Sequence, residues 1–167
     1  MNILYLGPRR EPLIRHLVES GDRVFHTEEN LNTRPDLTQS IDMIVSYGYR
    51  YILGGQLVER FKGRIVNLHI SLLPWNRGAD PNVWSFLEDT PKGVSLHYID
   101  AGVDTGPILV QKPVDIAEDA TLRTSYDVLS AAVENQFINA WDDIRAGRIT
   151  SRPQTGAGSF HRARDLD

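Results

Sequence analysis

The stretch NLHISLLP, residues 67–74, carries an amide and an imidazole separated by one leucine in an otherwise apolar run. Successive side chains of a strand point to opposite faces, so Asn67 and His69 share one face. Pro74 ends the strand and places the pair near its carboxyl end. Ligands of open α/β sheets bind outside the carboxyl ends of the strands, which favours a functional role. Taken alone, the pair is equally compatible with polar groups satisfied inside a core.

The segments before this stretch alternate between strand-like and helix-like patterns. Short apolar runs predict strands, and apolar residues spaced three and four apart predict the helices between them. Such alternation predicts an α/β fold with a parallel sheet and helices on both faces. The predicted strands are residues 2–7, 23–26, 43–47 and 64–70, and the predicted helices are residues 12–20, with Leu13, Leu17 and Val18 on one face, and residues 57–63.

The pattern changes after Pro74. Residues 81–89 predict a short helix, and residues 93–100 and 107–116 predict two strands that pair across the loop DAGVDTG. A long helix is predicted over residues 119–146, where Gly147 ends it. Its apolar stripe consists of Leu122, Tyr126, Leu129, Val133, Phe137, Trp141 and Ile144.

Composition limits the class of protein. A chain of 167 residues that is 41% hydrophobic is long enough for one core and too short for two ordinary domains. A formal net charge of −4 with no long run of Lys or Arg argues against a nucleic-acid partner. The absence of cysteine excludes disulfides, a thiolate nucleophile and Cys-ligated zinc. Since no signal-peptide or membrane-spanning pattern is present, we expect a soluble, cytoplasmic protein without a membrane partner.

The loop DAGVDTGP, residues 100–107, is the second polar feature. Asp100 and Asp104 lie among glycines that allow tight turns and close approach of a ligand, although Asp and Gly are common in any hairpin loop. An EF-hand is excluded because its alternating oxygen ligands and terminal Glu are missing. If this loop lies over the strand that carries Asn67 and His69, an amide, an imidazole and a carboxylate converge.

Such a trio suits acyl transfer to an amine. An amide N–H or a cationic imidazole can stabilise the negative charge that develops on the carbonyl oxygen. A carboxylate can move the proton that the attacking amine loses, directly or through water. It can also orient the imidazole and raise its pKa. No metal is implied.

The two motifs together resemble a known family. NLHISLLP, followed by HYIDAGVDTGPILVQ at residues 97–111, resembles the formyltransferases, which include glycinamide ribonucleotide transformylase, methionyl-tRNA formyltransferase and sugar N-formyltransferases. The resemblance extends over residues 43–149 and implies a single-domain, Rossmann-like formyltransferase fold with a shortened N-terminal part. It implies a catalytic domain over residues 1–151, followed by a tail, residues 152–167, that packs on it or trails from it.

The resemblance also implies the site residues and the donor. Asn67, His69 and Asp104 match the family's catalytic Asn, His and Asp, and the formyl donor is then N10-formyltetrahydrofolate. The positions that line the family's pterin pocket correspond to Tyr49, Arg50, Tyr51, Ile52, Leu53, Asp100, Ala101, Gly102 and Val103.

Departures from the family pattern narrow the range of acceptor substrates that we expect. Ile70 replaces the usual Pro, residues 7–10 (GPRR) lack the Gly/Ser-rich phosphate loop of the purine-pathway enzymes, and no tRNA-binding second domain is expected after Asp167. The segments WNRGADP (75–81), TPKG (90–93) and QTGAGSFH (154–161) are similar to a compact subgroup. That subgroup contains small bacterial sugar-nucleotide N-formyltransferases and the formylation domain of linear gramicidin synthetase.

We therefore expect formyl transfer to the primary amine of a nucleotide-linked amino sugar, of the pseudaminic acid type. The alternatives are formylation of an aminoacyl group on a carrier protein, hydrolysis of formyltetrahydrofolate, and an inactive folate-binding module. Apolar sheet edges would also favour a homodimer. His97 is expected to be structural, and the tail residues His161 and Arg162 either fold back over the site or form a mobile end. The predicted acceptor-binding residues are Arg9, Arg10, Trp75, Asp80 and Trp84.

Overall fold

A six-stranded sheet lies at the centre of the molecule. Its strands, numbered along the chain, are β1 (Asn2–Leu6), β2 (Arg23–Thr27), β3 (Met43–Tyr47), β4 (Ile65–His69), β6 (Gly93–Tyr98) and β7 (Ile108–Pro113), while β5 (Arg77–Gly78) belongs to a second sheet. The order across the six-stranded sheet is β2-β1-β3-β4-β6-β7. The computed structural model describes residues 1–167. β1 to β4 pair in parallel, whereas β6 pairs antiparallel with both β4 and β7. The inner strands β1 and β3 are nearly continuous apolar runs because helices cover both of their faces.

Four helices connect or flank these strands. Thr121 caps the longest of them, since its hydroxyl accepts the N–H of Thr124 at 3.1 Å, and Gly147 follows the helix with a φ of +68°. No helix has the length and apolar character needed to cross a membrane. The helices are α1 (Glu11–Glu19), α2 (Gly55–Arg60), α3 (Pro81–Leu87) and α4 (Leu122–Arg145), with 3-10 turns at Pro35–Thr38 and Ala163–Leu166.

Two apolar clusters fill the faces of the sheet. The larger packs α1 and α4 against one face, and the smaller packs α2 against the other. Trp141 of α4 is fully buried, and its indole N–H donates to Asp22 at 2.8 Å. The mostly parallel α/β sheet with flanking helices is the architecture that the sequence predicts.

Three residues of the predicted apolar faces lie at the surface instead. Leu122 and Tyr126 are 50% and 44% exposed because Ser125 is the buried residue of the first turns of α4, where its hydroxyl donates to Asn82 of α3 at 3.1 Å. Leu122 and Tyr126 line a shallow cavity with Ile70. Val18 is 54% exposed. The buried face of α1 is Leu13, Ile14 and Leu17, which turns Val18 towards solvent.

A second, two-stranded sheet joins the C-terminal tail to the loop after β4. Its strands, β5 (Arg77–Gly78) and β8 (Phe160–His161), are parallel. An isolated antiparallel bridge between Ile108 and Arg152 anchors the beginning of the tail to the first residue of β7. The tail therefore folds back over the carboxyl end of β4.

Candidate active site

Asn67 and His69 lie at the carboxyl end of β4. β4 is held between β3 and β6, and Asn67 is in register with Ser46 on one side and His97 on the other. The side chains of both Asn67 and His69 reach Asp104, which lies in the loop between β6 and β7. The structure thus brings together the amide, the imidazole and the carboxylate of the predicted trio.

The tautomer of His69 follows from its backbone partner. Nε2 lies 2.9 Å from the carbonyl oxygen of Asn76, and a carbonyl can only accept, so Nε2 carries a hydrogen. Nδ1 faces the carboxylate of Asp104 at 3.7 Å. The ring is 8% exposed. Nδ1 is therefore the nitrogen that can gain or lose a proton during a reaction.

Asp104 is surrounded by groups that stabilise its negative charge. One carboxylate oxygen accepts the N–H of Gly78 at 2.9 Å, and the other lies 3.4 Å from both His97 Nε2 and Asn67 Nδ2. Burial by itself would raise the pKa of the Asp104 carboxyl. The neighbouring imidazoles of His69 and His97 and the N–H of Gly78 outweigh burial and hold that pKa well below its usual range. Asp104 is consequently ionised at any physiological pH.

This lowered pKa predicts how the protein responds to acid. Unfolded aspartate has a pKa of about 3.9. Because the folded value is lower, the stabilisation from Asp104 is complete above about pH 4 and is lost as pH falls through the folded pKa. We expect the free energy of unfolding to fall more steeply below about pH 4 in the wild type than in Asp104→Asn. Urea unfolding at a series of pH values measures both slopes, and parallel curves would contradict the prediction.

His97 belongs to the same cluster and fixes the amide of Asn67. Its Nδ1 donates to the carbonyl oxygen of Tyr98 at 2.9 Å, so its Nε2 accepts one N–H of Asn67 at 3.1 Å. The other N–H of Asn67 has only the long contact of 3.4 Å with Asp104. That second hydrogen is the one that can turn to a substrate oxygen. The mid-strand position of His97 predicted a structural role. In the structure, the register of β4 and β6 places His97 beside Asn67, so that it also contacts Asn67 and Asp104.

A cavity of about 510 Å³ opens beside this cluster. Its wall includes Asn67 and Asp104, together with two segments that the sequence assigned to the donor. The connection between β3 and α2 supplies one side, and the loop after β6 supplies another. Ala101 is the exception, since it is exposed and outside the cavity wall. The predicted donor-binding residues that line the cavity are Tyr49, Arg50, Tyr51, Ile52, Leu53, Asp100, Gly102 and Val103.

The C-terminal tail forms the remaining wall of the cavity. Residues 160–163 line it together with the Asp100–Asp104 loop. His161 is held there by stacking on Trp84, with ring centroids 3.8 Å apart, and by a 3.1 Å contact of its Nε2 with Glu88. The sequence had left open whether the tail reaches the site.

Arg9 and Arg10 lie in a different place from this cavity. They border a shallow cavity between the start of α1 and the side of α4. Arg10 forms a 2.8 Å ion pair with Glu134, and Arg9 contacts Glu11 at 3.1 Å. Both guanidinium groups already have carboxylate partners, so the structure does not bring them to the Asn67–His69–Asp104 cluster.

The other predicted acceptor-binding residues also lie outside the main cavity. Asp80 precedes α3 with a φ of +51° and lines a shallow cavity with Ile70 and Tyr126. Trp75 is half-buried, and its carbonyl accepts the hydroxyl of Ser71 at 2.7 Å. Trp84 stacks on His161, which lines the cavity, but Trp84 itself does not line it. Sequence reasoning identified these segments without showing which of their residues face the cavity.

The backbone of Gly78 approaches the C-terminal tail closely, which leads to a prediction. Its φ is +88°, and a Cβ there would lie 2.1 Å from the carbonyl oxygen of His161. Gly78→Ala should lower the free energy of unfolding by about 2–4 kcal/mol because strain adds to a clash with β8. Urea unfolding of Gly21→Ala is the matched control, since Gly21 has a φ of +87° with nothing within 4 Å. Equal losses in the two variants would show that the close approach is unimportant.

An amide, two imidazoles and a buried carboxylate at the end of a parallel strand, beside a cavity, form a site that can perform acyl transfer. The comparisons with known proteins agree with this class. The chain belongs to the formyl transferase family, whose model matches residues 24–140.

Two curated relatives illustrate the range of the family. Methionyl-tRNA formyltransferase of Thermodesulfovibrio yellowstonii is 39% identical over 121 residues, which cover 72% of this chain and 39% of that protein. Phosphoribosylglycinamide formyltransferase of Bacillus subtilis is 39% identical over 85 residues, which cover 50% of this chain and 44% of that protein. The chain thus spans less than half the length of each of these two relatives.

A solved structure matches almost the whole chain. The formyltransferase PseJ from Anoxybacillus kamchatkensis, in complex with UDP-4,6-dideoxy-4-formamido-L-AltNAc and tetrahydrofolate, is 50% identical. The match has a TM-score of 0.96 and covers 99% of this chain and 87% of that one. It confirms the predicted formyltransferase fold.

Proposed function

We propose that this chain transfers a formyl group from N10-formyltetrahydrofolate to the primary amine of a nucleotide-linked amino sugar. The observation that carries the proposal is the near-complete match to PseJ, whose structure contains a UDP-linked formamido sugar and tetrahydrofolate. The proposed acceptor is accordingly the UDP-linked 4-amino-4,6-dideoxy sugar that precedes such a product.

The main cavity supports the proposed donor site. Its volume of about 510 Å³ lies in the range of ligand sites, and its wall combines apolar and polar residues from the two loops. Tyr49 and Leu53 lie on one side, and Val103 lies on the other. Ile52 also lines the cavity, and it is 71% exposed. The pterin ring of the proposed donor would cover this apolar side chain. The donor, when bound, supplies the activated formyl carbon.

The cluster supplies the chemistry in the proposed reaction. A bond forms between the acceptor nitrogen and the formyl carbon, the bond to the donor nitrogen breaks, and one proton passes from the acceptor amine to the donor nitrogen. The second N–H of Asn67 and the positive charge of a protonated His69 stabilise the negative charge on the formyl oxygen. Asp104 orients His69, whose Nδ1 faces the carboxylate at 3.7 Å. Asp104, directly or through water, assists the movement of this proton from the acceptor amine to the donor nitrogen.

The test is a formyl-transfer assay with the purified chain. N10-formyltetrahydrofolate is incubated with a UDP-linked 4-amino-4,6-dideoxy sugar, and the product is examined by mass spectrometry for the gain of one formyl group. The matched control is the same sugar nucleotide with its 4-amine acetylated, which should gain nothing. Formate release without any amine would assign hydrolysis instead. Binding of tetrahydrofolate with no turnover on any amine would overturn the proposed formyltransferase activity.

Two further expectations belong with this proposal. A homodimer and a cytoplasmic location stay predictions, and sedimentation analysis of the purified chain tests the first. A small-molecule acceptor is supported by the site itself, because the cluster lies beside a cavity of about 510 Å³.

A further inference from the structure

Gln154 in the tail makes four hydrogen bonds around the loop that carries Asp104. Its amide nitrogen donates to the carbonyl oxygens of Asp104 and Gly106, each at 2.8 Å. Its carbonyl oxygen accepts from Nε of Arg77 at 2.9 Å and from Nη2 at 2.7 Å. Both hydrogens and both lone pairs of the carboxamide are in use. A residue of the tail therefore links β5 to the backbone of the loop.

The tail on either side of Gln154 is anchored. On one side, Arg152 and Ile108 exchange two backbone hydrogen bonds of 2.8 and 2.9 Å. On the other side, the N–H of Arg77 donates to the carbonyl of Ser159 at 2.9 Å, within the pairing of β5 and β8. Gln154 therefore lies between two fixed points, and its carboxamide cannot move far from the loop.

The Asp104 loop needs such support. Asp104 has a φ of +53°, a left-handed conformation that a residue with a side chain rarely adopts. No helix or strand includes the segment between β6 and β7. The carboxylate of Asp104 is held by the N–H of Gly78, and its carbonyl is held by Gln154. Arg77 joins the two supports, because it precedes Gly78 in the chain and its guanidinium holds Gln154.

We propose that Gln154 is a positioning residue for formyl transfer, fixing the backbone of Asp104 so that the carboxylate faces Nδ1 of His69. The inference rests on the proposed function of the same site. Gln154 does not line the cavity, so it acts through Asp104 and not on a substrate.

The variant that tests this role is Gln154→Glu. A glutamate keeps the acceptor atoms for Arg77 but loses both N–H donors and places a negative charge against the two loop carbonyls. We expect kcat to fall by about 10- to 100-fold, because small displacements of catalytic groups have effects of this size. The KM values for the formyl donor and for the UDP-linked 4-amino sugar should stay within about threefold, since the cavity wall is unchanged.

Gln111→Glu is a matched control. The amide nitrogen of Gln111 donates to the carbonyl of Leu73 at 2.7 Å and to Ser95 Oγ at 3.0 Å, and its carbonyl oxygen accepts from Arg152 at 2.9 Å. A Gln→Glu substitution at residue 111 therefore also removes two N–H donors and keeps an acceptor for an arginine, but it does so at a position that does not contact Asp104. We expect a comparable loss of Tm with a kcat within about twofold of the wild type. An equal loss of kcat in both variants, or an unchanged kcat in Gln154→Glu, would overturn the positioning role.

A measurement without activity separates this inference from the proposed function. If Gln154 holds Asp104, the losses of Tm in Gln154→Glu and Asp104→Asn should be smaller in the double variant than their sum. The losses in Gln111→Glu and Asp104→Asn should add. Additive losses for the first pair would overturn the inference even with an active enzyme. Non-additive losses in a chain that formylates no amine would retain the positioning of Asp104 and refute only the proposed reaction.

Discussion

Asp104→Asn is expected to lower kcat for formyl transfer by about 10²- to 10³-fold in a chain that remains folded. The asparagine oxygen can still accept the N–H of Gly78, which lies 2.9 Å from the present carboxylate. The negative charge beside His69 is lost, however. An asparagine N–H turned to Nδ1 would also favour the unprotonated imidazole, the opposite of what charge stabilisation on the formyl oxygen requires.

The KM for the formyl donor separates this effect from a loss of binding. Asp104 contributes one side chain to a large cavity whose other walls stay in place, so KM should change by less than about fivefold. Asp115→Asn removes a negative charge from an exposed position and should leave kcat unchanged. A folded Asp104→Asn with kcat within about threefold of the wild type would remove Asp104 from the mechanism.

The fold was largely predictable because its signals are local. The period of two in NLHISLLP put Asn67 and His69 on one face, and strand–helix alternation predicted the parallel sheet. The predicted long helix ends within one residue of the end of α4 but begins at residue 119, three residues before Leu122. Periodicity alone also does not show which residues of the first turns are buried. Leu122 and Tyr126 keep the apolar spacing and are nevertheless half-exposed.

The candidate site was predictable only in part because it depends on contacts between distant segments. The resemblance to the family identified Asp104, but the sequence could not show that Gly78 and Gln154 hold it from two sides. Arg9 and Arg10 had the charge expected for binding a diphosphate. Their partners Glu11 and Glu134 use that charge, and the partner of Arg10 lies 124 residues away in the chain.

The C-terminal tail was even less predictable from the sequence. Its composition, rich in glycine and polar residues, gave no sign of a strand, and β8 is only two residues long. The pairing depends on Gly78, whose backbone approach leaves no room for a side chain. Such short-range complementarity between two irregular segments has no periodic signal in the sequence, so the wall formed by residues 160–163 could be found only in the structure.

His69 offers a prediction that separates anchoring from chemistry, because its two nitrogens have different partners. His69→Gln can still donate from its amide to the carbonyl of Asn76, but it has no group at the position of Nδ1. His69→Asn places an N–H near the position of Nδ1 and loses the contact with Asn76. We expect kcat to fall by about 10²- to 10³-fold in His69→Gln and by less in His69→Asn. Thermal unfolding should show the reverse order, with His69→Gln the more stable. If both variants instead lose activity in proportion to their loss of Tm, His69 is a structural residue, and the charge on the formyl oxygen must be stabilised by Asn67 alone.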